Sequence, residues 1–413
     1  MFILLGITSC SWYEEDDDIL YDRTVLIYMA ADNNLSYSHS YPNTTDSLTG
    51  RYNPNTYTKF SQEDIDEIVA AADDIPHNSR LVIYIDDTEL PRIITAEKQE
   101  GRRASIKILH EYTEEHDSGN AETLRLTMKW TSDHFPSKGY GLVLWSHGDA
   151  WIPAKAPTTQ RIVCQDTEAR SWMEIADITN ALKDFPCLDF ILFDACFMQS
   201  IEVAYELRHD THYIIGSPAE IPAPGAPYKR IMKGMFASTN YAQTIAQEYY
   251  QEYSEGRILI KGQEKQSYGV CLSVIDCSQL DLLAETTQEV LSKYISMHSS
   301  IDLDGVQRYY LRDSDTRPEY YDINGYMKRL LTNIEDYTLW ASILDRTAPY
   351  RPTTTHWYSD YTGQEQVDTL NYSGISCYVP QDTSSRVRLN TAFQSTAWYH
   401  ATGWELWYRS TKE

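Results

Sequence analysis

Short apolar runs that alternate with helix-patterned stretches constrain the fold of this chain more than any other feature. The runs are residues 24–29 (TVLIYM), 80–85 (RLVIYI), 106–112, 140–145 (YGLVLW), 189–193 (DFILF), 211–216 and 268–275 (YGVCLSVI). Bounded by turn residues and rich in β-branched and aromatic side chains, they predict strands. Residues 61–72, 123–135, 173–183, 201–208 and 241–255 carry apolar side chains at helical spacing. In the first of these, Ser61 is the expected N-cap and Asp64 takes a capping-box position three residues later. Apolar strands linked by amphipathic helices predict an α/β protein with a mostly parallel central sheet, covered on both faces. From about residue 281 the pattern turns mainly helical (280–297, 323–331, 339–347), before a strand-like run at 373–379 (SGISCYV). A smaller helical subdomain, 281–413, is therefore expected to pack on a core formed by 22–280.

Residues 1–21 stand apart. MFILLGITSC is short and apolar and ends in a small residue before Cys10, which resembles a bacterial lipoprotein signal. No Lys or Arg precedes the apolar part, and that part is shorter than a usual signal core. The acidic stretch SWYEEDDD after it reads as a tether. The expectation is an extracytoplasmic protein of the bacterial cell envelope, secreted or lipid-anchored through Cys10. No apolar run is long enough to span a bilayer as a helix. The net charge of −25 argues against nucleic acid as a partner and favours cationic over anionic substrates. Seven scattered cysteines show neither CxxC pairs nor His/Cys ligand spacing, so no metal site or cofactor is expected. Asp302-Leu303-Asp304-Gly305 opens like a calcium loop but lacks the distal Glu.

In sheets of this kind, reactive groups lie in the loops at the carboxyl ends of the strands. Two such ends carry chemistry. The strand at 140–145 runs into Ser146-His147-Gly148, and the strand at 189–193 into Asp194-Ala195-Cys196. With a helical pattern following (Met198, Ile201, Tyr205), Cys196 is expected at a strand-to-helix junction, where N–H groups and the helix dipole favour a thiolate. Each end alone is unremarkable: a buried structural cysteine, or a loop histidine. Together they supply a nucleophile and a proton carrier. The backbone N–H groups of Gly148 and Cys196 are the expected oxyanion donors. Asp194, two residues before Cys196, points the same way along the strand. It is thereby suited to receive a guanidinium or ammonium, or else to cap the turn.

WSHG after an apolar strand, and FDACFM followed by EVAYEL, resemble the clostripain family of cysteine peptidases, in the caspase–gingipain–legumain clan. The stretches YMAADNNL and GISCYVP resemble it too, so the likeness runs from about Asp22 to Tyr408. It implies a caspase-like α/β/α sandwich, a dyad of His147 and Cys196, and cleavage of polypeptides after Arg or Lys. It leaves room for a structural calcium ion.

Two points depart from the family pattern or stay open within it. In residues 217–228 (SPAEIPAPGAPY), Pro224 stands where basic-specific relatives carry a further acid, which leaves Glu220 as the substitute second acid of the S1 pocket. Relatives also mature by self-cleavage after the histidine. In the 149–165 loop Lys155 and Arg161 are the two basic cut points. The alternatives are a non-catalytic surface lipoprotein that binds peptide or glycan, and a small-amide hydrolase. The latter lacks the flanking glycines such a nucleophile turn wants.

Overall fold

The computed structural model describes residues 20–36, 39–40, 57–98, 103–152, 163–255, 257–260, 263–266, 268–294, 303–309, 320–359, 362–381 and 386–405. Its centre is an eight-stranded sheet. In chain order the strands are β1 (Arg23–Ala30), β2 (Ser79–Asp86), β3 (Arg92–Glu97), β4 (Ser105–Glu111), β5 (Tyr140–Trp145), β6 (Leu188–Asp194), β7 (Thr211–Gly216) and β8 (Ser273–Asp276). They lie in the order β8-β7-β6-β5-β1-β2-β3-β4. The five from β7 to β2 run parallel; β8 at one edge and β3 near the other run against them, and the edge strand β4, antiparallel to β3, runs with them again.

The two-residue alternation of a strand divides the core. Val25, Ile27 and Met29 of β1 face one apolar layer with helices α1 (Phe60–Ala70), α5 (Tyr228–Met235) and α6 (Tyr241–Glu255). Leu26, Tyr28 and Ala30 face the other. That second layer holds α2 (Ala121–His134), α3 (Ile175–Leu182), α4 (Ile201–Glu206) and α7 (Leu280–Tyr294). It also holds α8 (Ile323–Leu330), α9 (Ile334–Thr347), α10 (Val387–Phe393) and α11 (Ala397–Ala401). Trp340, Phe393 and Trp398 from the last third of the chain are thus buried in one cluster with the sheet.

Several expectations need correction. β3 was not foreseen, because Pro91 and a two-sided polar flank hide a six-residue strand that folds back antiparallel between β2 and β4. The run at 268–275 yields a strand only over Ser273–Asp276; before it, Cys271 forms an isolated bridge to Thr353. Helix α5, also unforeseen, starts just after Pro227. Helix α1 begins one residue before Ser61, with Lys59 at its N-cap and no side-chain cap. The Ser61 hydroxyl is instead buried against Ser36, at 2.8 Å. Asp64 is not part of a capping box. It turns inward, 3% exposed, and accepts a hydrogen bond from Trp145 Nε1 at 2.6 Å. Among the described residues, all six cysteines are unbridged.

Candidate active site

The parallel strands end on one side of the sheet, so the loops leaving β7, β6, β5 and β1 stand next to one another in that order. Register sets the rest. Trp145, the last residue of β5, is the direct partner of Asp194, the last residue of β6. The pairing continues one step further, Ser146 N donating to Asp194 O at 3.4 Å. His147 and Cys196 each lie two residues beyond that pair. Between them the backbones close up: a Cβ added to Gly148 would lie 2.5 Å from Cys196 O and 3.1 Å from Cys196 N. Glycine there is a condition of bringing the two strand ends together.

After Cys196 the chain does not enter a helix at once. Phe197 adopts a left-handed conformation (φ +64), a strained state for an aromatic residue that surrounding contacts must hold. Those contacts are visible: Phe197 N donates to Ala219 O at 3.0 Å, Gln199 N to Ser217 O at 3.0 Å, and the Phe197 ring packs on Tyr320 at 6.1 Å. Helix α4 starts only at Ile201, where the Ser200 hydroxyl accepts from Val203 N. Cys196 thus lies in the connection between strand and helix, as expected, but a six-residue helix that distant offers the thiol no dipole. The local donor is a loop amide, Ile221 N, 3.4 Å from Cys196 Sγ.

The loop after β1 contributes a residue not singled out from the sequence. Asn33 is fully buried; its Nδ2 donates to Ala30 O (2.9 Å) and Gln165 O (3.1 Å), and its Oδ1 accepts from Leu35 N (3.0 Å). This folds the loop so that Asn34 Oδ1 meets His147 Nε2 at 2.6 Å. With the amide oxygen as acceptor, the imidazole carries its proton on Nε2, and proton exchange falls to Nδ1. The sequence signal was present: an Asn pair at the carboxyl end of a strand.

These loops enclose a cavity of about 410 Å³ whose walls include His147, Cys196, Asn34, Trp145, Asp194 and Glu220. Asp194, 3% exposed, accepts from Ala226 N at Oδ1 and from Tyr228 OH at Oδ2, both at 2.9 Å. Burial pushes its pKa up to about 7 in spite of these bonds. Gly225, at φ +67, passes so close that a Cβ would lie 2.8 Å from Asp194 Oδ1. Among the described residues, no group of three or more His, Cys, Asp or Glu is arranged to hold a metal ion, and no helix is long and apolar enough to cross a membrane. Cys10, Lys155 and Arg161 lie outside the described residues.

The model of the Clostripain family matches residues 52–407. The chain belongs to the clostripain family. That is a family of cysteine-type endopeptidases, and the sheet with its two helical layers is the caspase-like fold. Among solved structures, a secreted C11 cysteine protease from Bacteroides thetaiotaomicron, in complex with an irreversible peptide inhibitor, is 30% identical. Its TM-score is 0.78, over 93% of this chain and 99% of that one. An inactive zymogen C11 protease from Parabacteroides distasonis is 28% identical with a TM-score of 0.74, over 92% and 98%. Clostripain from Hathewaya histolytica is 24% identical over 227 residues, 50% of this chain. The match spans 41% of that curated relative's length.

Proposed function

We propose that the chain hydrolyses polypeptides by a His147–Cys196 dyad through a thioester acyl-enzyme, cutting after Arg or Lys. The observation that carries this reading is the β5–β6 register, which sets a histidine, a cysteine and a buried carboxyl on the wall of one cavity. The Cys196 thiolate attacks the scissile carbonyl carbon, and the backbone N–H groups of Gly148 and Cys196 take the oxyanion. The C–N bond then breaks, and His147 gives its proton to the departing amine. Water, deprotonated by His147, cleaves the thioester and returns the thiol. Asp194 receives the basic P1 side chain, assisted by Glu220 on the same wall. A zymogen relative supports a maturation step and a secreted relative an extracytoplasmic location; within this reading the chain cuts itself at Lys155 or Arg161 and carries its lipid on Cys10.

The test is a panel of fluorogenic peptides with Arg, Lys, Asn, Asp or Ala at P1, given to the reduced full chain and to Cys196→Ala. Release after Arg and Lys, abolished in Cys196→Ala, is the expected result. No hydrolysis of any peptide would favour a surface lipoprotein that binds peptide or glycan without cutting it. For maturation, Cys196→Ala should stay a single chain while the wild type yields two fragments.

A further inference from the structure

The wall of the cavity behind Asp194 holds more acid than the pocket surface displays. Trp145, which lines the cavity and pairs with Asp194 across the strands, donates its indole N–H to Asp64 of α1. Asp64 is 3% exposed, and its pKa is pushed well up, first by burial and then by the charge of Asp194. The groups around the two carboxyls are mostly acidic or phenolic. Helix α1 adds Glu63 and Glu67, α5 adds Tyr228, and α6 adds Tyr249, Glu252 and Tyr253. The cations, Lys229 and Arg230 of α5, act on Glu67 and Glu252. Two hydroxyls are engaged, Tyr228 on Asp194 and Tyr253 on Gly225 O at 2.7 Å. The third, Tyr249 OH, is on a residue 1% exposed that feels the charge of Asp194, and it has no hydrogen-bond partner among the described residues. Buried carboxylates without a counter-charge are costly, and they relieve the cost by keeping protons.

We propose that Asp64 is the buried second acid of the specificity pocket, and that the Asp64–Asp194 pair accepts a P1 guanidinium or ammonium in exchange for a proton released to solvent. This deepens the assignment of the cavity as a pocket for basic residues and rests on it. The cation supplies the missing positive charge, Asp194 gives up its proton, and the preference for a charged over a neutral P1 becomes a function of pH. Below about pH 7 Asp194 in the empty pocket holds its proton, so a cation must displace it; above that range Asp194 is already ionised and releases none.

Two measurements test this. The first is calorimetry of agmatine binding to the full-length Cys196→Ala protein, in buffers of different ionisation enthalpy. It should show net release of up to one proton at about pH 6.5 that fades by about pH 8.5. Asp64→Asn keeps an acceptor for Trp145. It should weaken agmatine binding about tenfold and reduce the proton release. The second is the kcat/KM ratio of an Arg-P1 peptide to its citrulline isostere. This ratio should rise with pH in the wild type and flatten in Asp64→Asn on an otherwise wild-type chain. Agmatine binding without proton release, or an unchanged ratio curve in Asp64→Asn, overturns the proposal. Failure of agmatine to bind, with Ala-P1 peptides cut as well as Arg-P1 peptides, overturns it together with the basic pocket and leaves the peptidase standing. No cleavage of any peptide removes both.

Discussion

At the scale of single residues, Asn34 carries the sharpest consequence. Its amide oxygen at 2.6 Å from His147 Nε2 fixes the ring's tautomer and orientation, and a mis-set imidazole cannot reach thiol and amine in turn. Asn34→Ala is expected to lower kcat about tenfold to a hundredfold, with KM and melting temperature little changed. Asn34→Asp places a carboxylate against the ring, so the histidine limb of the pH–rate profile should move to higher pH. An unshifted profile in both variants would reduce Asn34 to loop structure. His147, Cys196 and Asp194 were legible from the sequence because each lies at or just beyond the end of a strand. Asn34 was not, because an amide becomes informative only when its neighbour is known. The strand beside β5 is β1, more than a hundred residues earlier in the chain, and nothing local says so.

The elements show the same divide between local pattern and tertiary demand. Strand and helix periods gave β1, β2, β5, β6, β7 and α6 nearly to the residue. The capping-box pattern at Ser61 and Asp64 misled, because local rules cannot foresee an indole N–H arriving from the end of β5. The helix expected from Ile201 starts there, but the turn between Cys196 and it was not legible: it is stitched to the loop after β7 and passes through the strained Phe197. How closely these loops approach is testable at Gly148. A methyl group there would meet Cys196 O at 2.5 Å and force the loop after β5 away from the end of β6. Gly148→Ala should therefore cost about a hundredfold or more in kcat, with an unchanged far-UV spectrum. Retained activity would mean that the two strand ends have slack that the register does not suggest.

For the molecule as a whole, the last third of the chain bears on the site from below. Tyr320 OH donates to Asp149 O at 3.1 Å, and the Tyr320 ring meets Phe197. Ser376 N donates to Gln199 O at 3.0 Å, while Tyr378 N donates to Glu202 on α4 at 2.8 Å. Glu202 is 1% exposed, and burial pushes its pKa up to about 7; burial likewise holds Asp86 at about 8. An unfolded chain loses these protons near pH 4, whereas the folded chain keeps them until about 7 to 8. Across that interval the folded state binds more protons, so the stability they lend is full at the acid end and is lost as pH rises. Self-repulsion at a net charge of −25 works in the same direction. Calorimetric melting temperature should accordingly fall between about pH 5.5 and pH 8. The fall should be shallower in Glu202→Gln, whose amide oxygen still accepts from Tyr378 N; an equal slope would remove Glu202 from the balance. Rising pH would then trade stability for selectivity, because it ionises Asp194 over the same range in which it strains the contacts that brace the cysteine turn.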